Sequence, residues 1–241
     1  MKIGLAQIQS KVGDIDHNIQ LHLKYFQMAD DNGVDLVCFP ELSLMGYEPR
    51  IAREHVSNTL SEIWNSFQLF SNRTGMIACI GMPSPGKEKP RISMFVIMPH
   101  NPIKIYSKQR LHSDELPYFE EGDSDLLLEW GNHKIAPAIC YESLLEDHSK
   151  QAKLNGATIY LSSVAKADTG ISRAKSYFPE MAAQLGLNVG MVNALGPNSG
   201  FQSMGQSTVW SLDGSKLGSL DSMNEGLLIW DVRNSTVSKS Q

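Results

Sequence analysis

Four times along this 241-residue chain a helical pattern of polar and apolar residues runs into a glycine and is followed at once by a short run rich in Val, Ile or Leu. The glycines are Gly33, Gly75, Gly156 and Gly186. A glycine just past a helix takes the left-handed conformation without a Cβ clash, so each marks a helix end with a strand behind it. The strands so placed are residues 34–39, 76–82, 157–162 and 187–193. Ahead of Gly33, Ile19, Leu23, Phe26 and Met28-Ala29 recur near helical spacing, and Asp14 or Asp16 is placed to cap the start.

Further strands are read at residues 3–8, 93–98, 103–107, 134–140, 207–212 and 226–232. About ten strands with about four helices are too many strands for a simple doubly wound sheet, so two sheets with helices outside are expected. No linker or domain boundary interrupts the pattern, and residues 1–241 read as one domain whose last residues, 235–241, form a loose tail. With 41% hydrophobic and 20% charged residues, the chain is long enough to close a core without disulfide or metal staples.

Charge and motif content exclude several classes. The 21 basic and 26 acidic residues give a net charge of -5, with no basic run to follow a phosphate backbone, so nucleic acid is not an expected partner. No apolar stretch approaches a membrane span and the N-terminal residues are polar by Gln7, so no membrane association is expected. Cys38, Cys79 and Cys140 are odd in number and lie in or at the end of apolar runs, which fits a reducing cytoplasm. The seven histidines form no metal-site spacing, so no metal is expected, and phosphate-cradling and dinucleotide glycine motifs are missing, which leaves nucleotide triphosphatase and dinucleotide oxidoreductase readings without support.

Open α/β sheets bind ligands beyond the carboxyl ends of their strands, which is where reactive side chains are sought. The strand at residues 34–39 ends in Pro40-Glu41, and Glu41 meets an apolar neighbourhood that would raise its pKa toward that of a general base. The strand at residues 134–140 ends in Cys140, followed by Tyr141-Glu142. Ser143 and Glu146 have capping-box spacing, so a helix N-terminus next to the cysteine is expected. Lys108 follows the strand at residues 103–107, where a lysine could hold a thiolate and polarise a carbonyl. Each feature also has an ordinary explanation as a solvated charge or a core cysteine.

Taken in order, Phe39-Pro40-Glu41, Lys108 and Cys140-Tyr141-Glu142 resemble the Glu-Lys-Cys set of the nitrilase superfamily, the carbon-nitrogen hydrolases. The segment Glu115-Leu116-Pro117-Tyr118-Phe119-Glu120-Glu121-Gly122-Asp123 resembles that family's second glutamate motif, with Glu115 in the site. The resemblance extends over residues 1–233 and implies a four-layer α-β-β-α sandwich, assembled as a homodimer or higher homo-oligomer, with no cofactor. It further implies that Glu41 serves as base, Cys140 as nucleophile, Lys108 and the Tyr141 N–H as oxyanion partners, and Glu115 as the group that orients Lys108 or the substrate amide. Tyr47, Tyr118 and Val164 are expected to line the pocket for a small amide, and Glu142 either lines it too or accepts a hydrogen bond from backbone or Lys. Tyr141 after the cysteine leans toward amidases rather than nitrilases. Ser143-Leu144-Leu145-Glu146 departs from the continuation that many family amidases carry, which leaves the substrate open. The rival readings are a hydrolase pairing Cys140 with His112 or His148, and a non-catalytic binding or scaffold protein on the same fold.

Overall fold

Strand β1 (Lys2–Gln7) is buried along almost its whole length, as is β2 (Leu36–Cys38) beside it. Strands covered on both faces need near-continuous apolar runs, and these sequences supply them. The computed structural model describes residues 1–56 and 63–240. Gln241, the last residue of the expected tail, lies outside the described residues.

The first sheet has seven strands. Besides β1 and β2 it contains β3 (Ile77–Ser84), β4 (Arg91–Ile97), β5 (Lys104–Ser107), β14 (Gly226–Asp231) and β15 (Thr236–Ser240), in the order β15-β14-β1-β2-β3-β4-β5. The second has the order β13-β12-β9-β8-β7-β6, from β6 (Leu128–Trp130), β7 (His133–Ile139), β8 (Ile159–Val164), β9 (Asn188–Asn193), β12 (Thr208–Trp210) and β13 (Lys216–Ser219). A small hairpin, β10 (Leu195–Asn198) with β11 (Phe201–Met204), stands apart. In both sheets the central strands are parallel, β1, β2 and β3 in one and β7, β8 and β9 in the other.

The two sheets share one core in which Leu5, Trp230 and Leu161 crowd around Gly190. Helices α1 (Ile15–Asp31) and α3 (Ile63–Thr74) cover the outer face of the first sheet through Tyr25, Phe26, Ala29, Trp64 and Phe67. Between them in sequence lies the single turn α2 (Ala52–His55). Helices α4 (Glu146–Leu154) and α5 (Asp168–Leu185) close the second sheet with Ala152, Ala174, Phe178, Met181 and Ala182. This is the expected α-β-β-α layering. The four punctuating glycines all have positive φ, and Asp14 caps α1 by accepting from the His17 N–H.

Two local expectations are corrected. Residues 236–240 are not a loose tail: they pair antiparallel with β14 as an exposed edge strand, and an edge can be polar because only its backbone is held. Ser143 and Glu146 form no capping box, since α4 starts at Glu146 without a side-chain cap and the Ser143 hydroxyl turns back to the Cys140 carbonyl at 2.6 Å. Strands β6, β10, β11 and β13 lie outside the expected strands: each has three or four residues, too few for a local pattern to show, so their pairing comes from neighbours.

Candidate active site

Four strand ends converge where the two sheets meet. Beyond β2, Pro40 starts a tight turn in which Ser43 N–H bonds the Pro40 carbonyl at 3.1 Å and Leu44 N–H bonds the Gly81 carbonyl at 3.0 Å. Gly81 allows this approach: a Cβ there would stand 2.4 Å from the Pro40 carbonyl oxygen. Beyond β7, Cys140 continues the ladder through its N–H to the Ser163 carbonyl at 3.0 Å. Leu42 and Cys140, one on each turn, are non-glycine residues held at positive φ, 51° and 48°. Such strain persists only where surrounding contacts hold it, and it clusters at functional sites. Ser163 Oγ donates to the Phe39 carbonyl at 2.8 Å, tying the two sheets together beside both turns.

Lys108, fully buried just past β5, donates to Glu41 Oε1 at 2.7 Å and to Glu115 Oε1 at 2.6 Å. Glu115 also accepts the Tyr47 hydroxyl at 2.8 Å on Oε1 and the His112 N–H at 2.8 Å on Oε2. Two of the three ammonium protons of Lys108 are thus engaged, and the third is free for another acceptor. Burial alone would push the Lys108 ammonium toward its neutral form, but the two carboxylates outweigh it and hold the charge on.

Burial raises the Glu41 pKa, opposed by Lys108 and reinforced by the like charge of Glu115. Its second oxygen, Oε2, accepts no hydrogen bond among the described residues. The Cys140 thiol, partly exposed, lies within electrostatic reach of that carboxylate. Burial first, and then Glu41, push the thiol up to about 11, while Lys166 and Lys108 pull the other way. At that value the resting sulfur is a thiol near neutral pH, so it needs a base before it can attack. A 3-10 turn, Glu142–Leu144, rather than an α-helix, follows the cysteine. The Tyr141 N–H at its head donates to no acceptor among the described residues.

Glu41, Lys108, Glu115, Tyr47 and Cys140 therefore sit together, and three other expected site residues do not. Glu142 is fully buried and turned into the protein, where its oxygens accept from the Ile139, Gln109 and Arg110 N–H groups and the Tyr106 hydroxyl. Its carboxylate ties the Lys108 loop to the cysteine turn instead of lining a pocket. Val164 is buried in the apolar layer under α5, because its side chain points to the opposite face of β8 from the site. Tyr118 is 39% exposed. The histidines are engaged elsewhere: His148 lies between the Tyr106 and Tyr160 hydroxyls, and His112 pairs with Asp114 at the surface. Glu120, from the same acidic segment, accepts the Lys87, Glu88 and Lys89 N–H groups and pairs with Arg91, well apart from the lysine cluster.

One residue escaped the sequence reading. Lys166 follows β8 and is 6% exposed, with Nζ 3.6 Å from Cys140 Sγ and 3.4 Å from the Cys140 carbonyl oxygen. No motif carries it; its signal is its position at the carboxyl end of a central parallel strand, where ligand-facing residues are expected.

The carbon-nitrogen hydrolase family model matches residues 2–240, and the chain belongs to that family. Among solved structures, the amidase from Nesterenkonia sp. AN1 superposes with a TM-score of 0.89 at 25% identity, over 96% of this chain and 92% of that one. A mutant of that amidase, captured after Michael addition of acrylamide at its active-site cysteine, matches with the same score over 96% and 93%. Among curated proteins, the glutamine-dependent NAD(+) synthetase of Acinetobacter baylyi is 26% identical over 222 residues, 88% of this chain but 40% of its own length. That of Thermotoga maritima is 29% identical over 147 residues, and the match spans 25% of its length. Among the described residues no helix is long and apolar enough to cross a membrane.

Proposed function

We propose that this protein hydrolyses the C–N bond of a small amide through a thioester on Cys140. The observation that carries the reading is the fully buried Lys108 ammonium shared between Glu41 and Glu115 beside a strained, partly exposed cysteine. Family membership and the likeness to an amidase support C–N hydrolysis as the reaction type.

In the first half-reaction Glu41 takes the Cys140 proton and the thiolate attacks the amide carbonyl carbon. The negative charge that develops on oxygen is met by the third Lys108 proton and the Tyr141 N–H. As the tetrahedral intermediate collapses, Glu41 passes its proton to the departing nitrogen, and ammonia or an amine leaves. In the second half Glu41 takes a proton from water, hydroxide attacks the thioester, and the expelled thiolate recovers the proton from Glu41. Glu115, held by Tyr47 and the His112 N–H, keeps Lys108 charged and fixed throughout. Assembly as a homodimer or higher oligomer belongs to the same proposal and is read by light scattering.

The test is ammonia release from a panel of small aliphatic amides and from glutamine, the latter included because the curated relatives are named as glutamine-dependent. Turnover of at least one amide, abolished in Cys140→Ala and Glu41→Gln, is expected. Turnover that survives Cys140→Ala would overturn the assignment. A His112→Ala variant should retain turnover, whereas its loss would favour a Cys-His pair.

A further inference from the structure

Lys166 is set as firmly as the residues of the lysine cluster. Its N–H donates to Asn193 Oδ1 at 2.8 Å, and its carbonyl accepts from Asn193 Nδ2 at 3.1 Å and from the Met204 N–H at 3.0 Å. Its stem lies along Gly170 in the first turn of α5, where a Cβ would stand 3.2 Å from Lys166 Cβ and 3.3 Å from Cγ. A side chain at position 170 would therefore press on the stem that carries the head to the cysteine.

Lys166 and Lys108 differ in their partners. Lys108 has two carboxylates, whereas the only acceptors of the Lys166 ammonium among the described residues are the carbonyl oxygen and the sulfur of Cys140. An ammonium with so little access to water and no carboxylate beside it is stabilised most by a nearby anion. The anion that this site can generate is the thiolate. Charged groups facing the sulfur come from four elements: Glu41 and Glu115 oppose its ionisation, while Lys166 and Lys108 favour it, Lys166 more strongly. The Tyr47 phenol also faces the site, but burial and the carboxylates keep it protonated.

Resting on the thioester reading above, we propose that Lys166 is a second cationic partner of the nucleophile, stabilising the Cys140 thiolate when Glu41 takes its proton and again when the thioester expels it. The role is asymmetric along the reaction. Thiolate is favoured by an ammonium at 3.6 Å, whereas a neutral thioester sulfur is a weak acceptor, so Lys166 assists departure of the sulfur in the second half-reaction.

The experiment is iodoacetamide alkylation of native protein across the pH range, with Cys140 modification followed by mass spectrometry and the fold by circular dichroism. Iodoacetamide is neutral and needs no turnover, so failure of amide hydrolysis leaves this readout intact. In Lys166→Met the alkylation midpoint should rise by about one to two pH units and the rate near neutral pH should fall roughly 10- to 100-fold, as expected for loss of one close cation. Lys166→Arg should restore most of the reactivity. If Lys166→Met does not fold, Lys166→Gln, which keeps a polar head toward the Cys140 carbonyl, is read in its place. An unchanged alkylation profile in a folded neutral variant overturns the proposal. So does an unchanged profile accompanied by loss of turnover confined to carboxylate-bearing amides, which would make Lys166 a substrate contact instead.

Discussion

Replacing Glu115 by Gln removes one of the two charges on Lys108 while nearly conserving shape. Both carboxylate oxygens lie within 2.7 Å of one ammonium nitrogen. At tetrahedral angles they stand about 4 Å apart, where two like charges interact by roughly 4 kcal/mol at the effective dielectric suited to protein sites. Glu115 raises the proton affinity of Glu41, so its loss makes Glu41 a weaker base as well as loosening Lys108. If about half of that interaction is felt in the proton-transfer transition state, acylation of Cys140 slows by roughly 10- to 100-fold. The amide oxygen of Gln can still accept from Lys108 and Tyr47, but its NH2 meets the His112 N–H, donor against donor, and stability falls by about 1–3 kcal/mol. Single-turnover kinetics below the unfolding transition isolate the chemical effect, with Glu120→Gln and Glu121→Gln as controls. Glu120 anchors the Lys87–Lys89 backbone, and among the described residues Glu121 accepts only a 3.4 Å bond from the Leu111 N–H. Neither touches Lys108, so both controls should acylate at close to the native rate. Equal slowing at all three positions would refute the reasoning.

Three more outcomes follow from the structure. Native protein should take up one thiol label, at Cys140, because Cys38 and Cys79 are fully buried opposite each other on β2 and β3; labelling of three sites in folded protein, read by intact mass, would contradict this. Glu142→Ala should cost stability, roughly 3 kcal/mol or more, because three backbone N–H groups lose their acceptor; a native urea midpoint would show that the carboxylate does not hold the turn. Buried His22 is held neutral, its pKa lowered to about 4 by burial. Since the folded value lies below the unfolded one of about 6.5, this contribution is intact above pH 6.5 and declines by about 3 kcal/mol as pH falls toward 4. Urea midpoints across that range should show the decline, and His22→Gln should flatten it.

The sequence by itself determined the parts that depend on local stereochemistry and on order along the chain. Gly33, Gly75, Gly156 and Gly186 stop helices wherever they are placed, because left-handed backbone is open to them at no steric cost. The buried central strands announce themselves because both faces are apolar. Glu41, Lys108 and Cys140 were legible because each lies next to a strand end and the three follow one another in the order that resembles the family's set. Glu115 was separable from Glu120 and Glu121 through the resemblance of the motif that it opens, Glu115-Leu116-Pro117-Tyr118-Phe119. What only the tertiary structure decided depends on which groups meet across the interior. The polar edge strand β15 exists through its ladder with β14, and nothing in Thr236-Val237-Ser238-Lys239-Ser240 requires it. The sequence leaves Glu142 open between a backbone acceptor and a pocket carboxylate, and the choice is made by N–H groups from two loops that fold onto it. Val164 and Lys166, two residues apart, part company where β8 ends: one enters the layer under α5, while the other turns back to the cysteine. Residue spacing along a chain cannot fix that difference, because it is set by Asn193, Met204 and Gly170, which come from three other segments and clamp Lys166 in place.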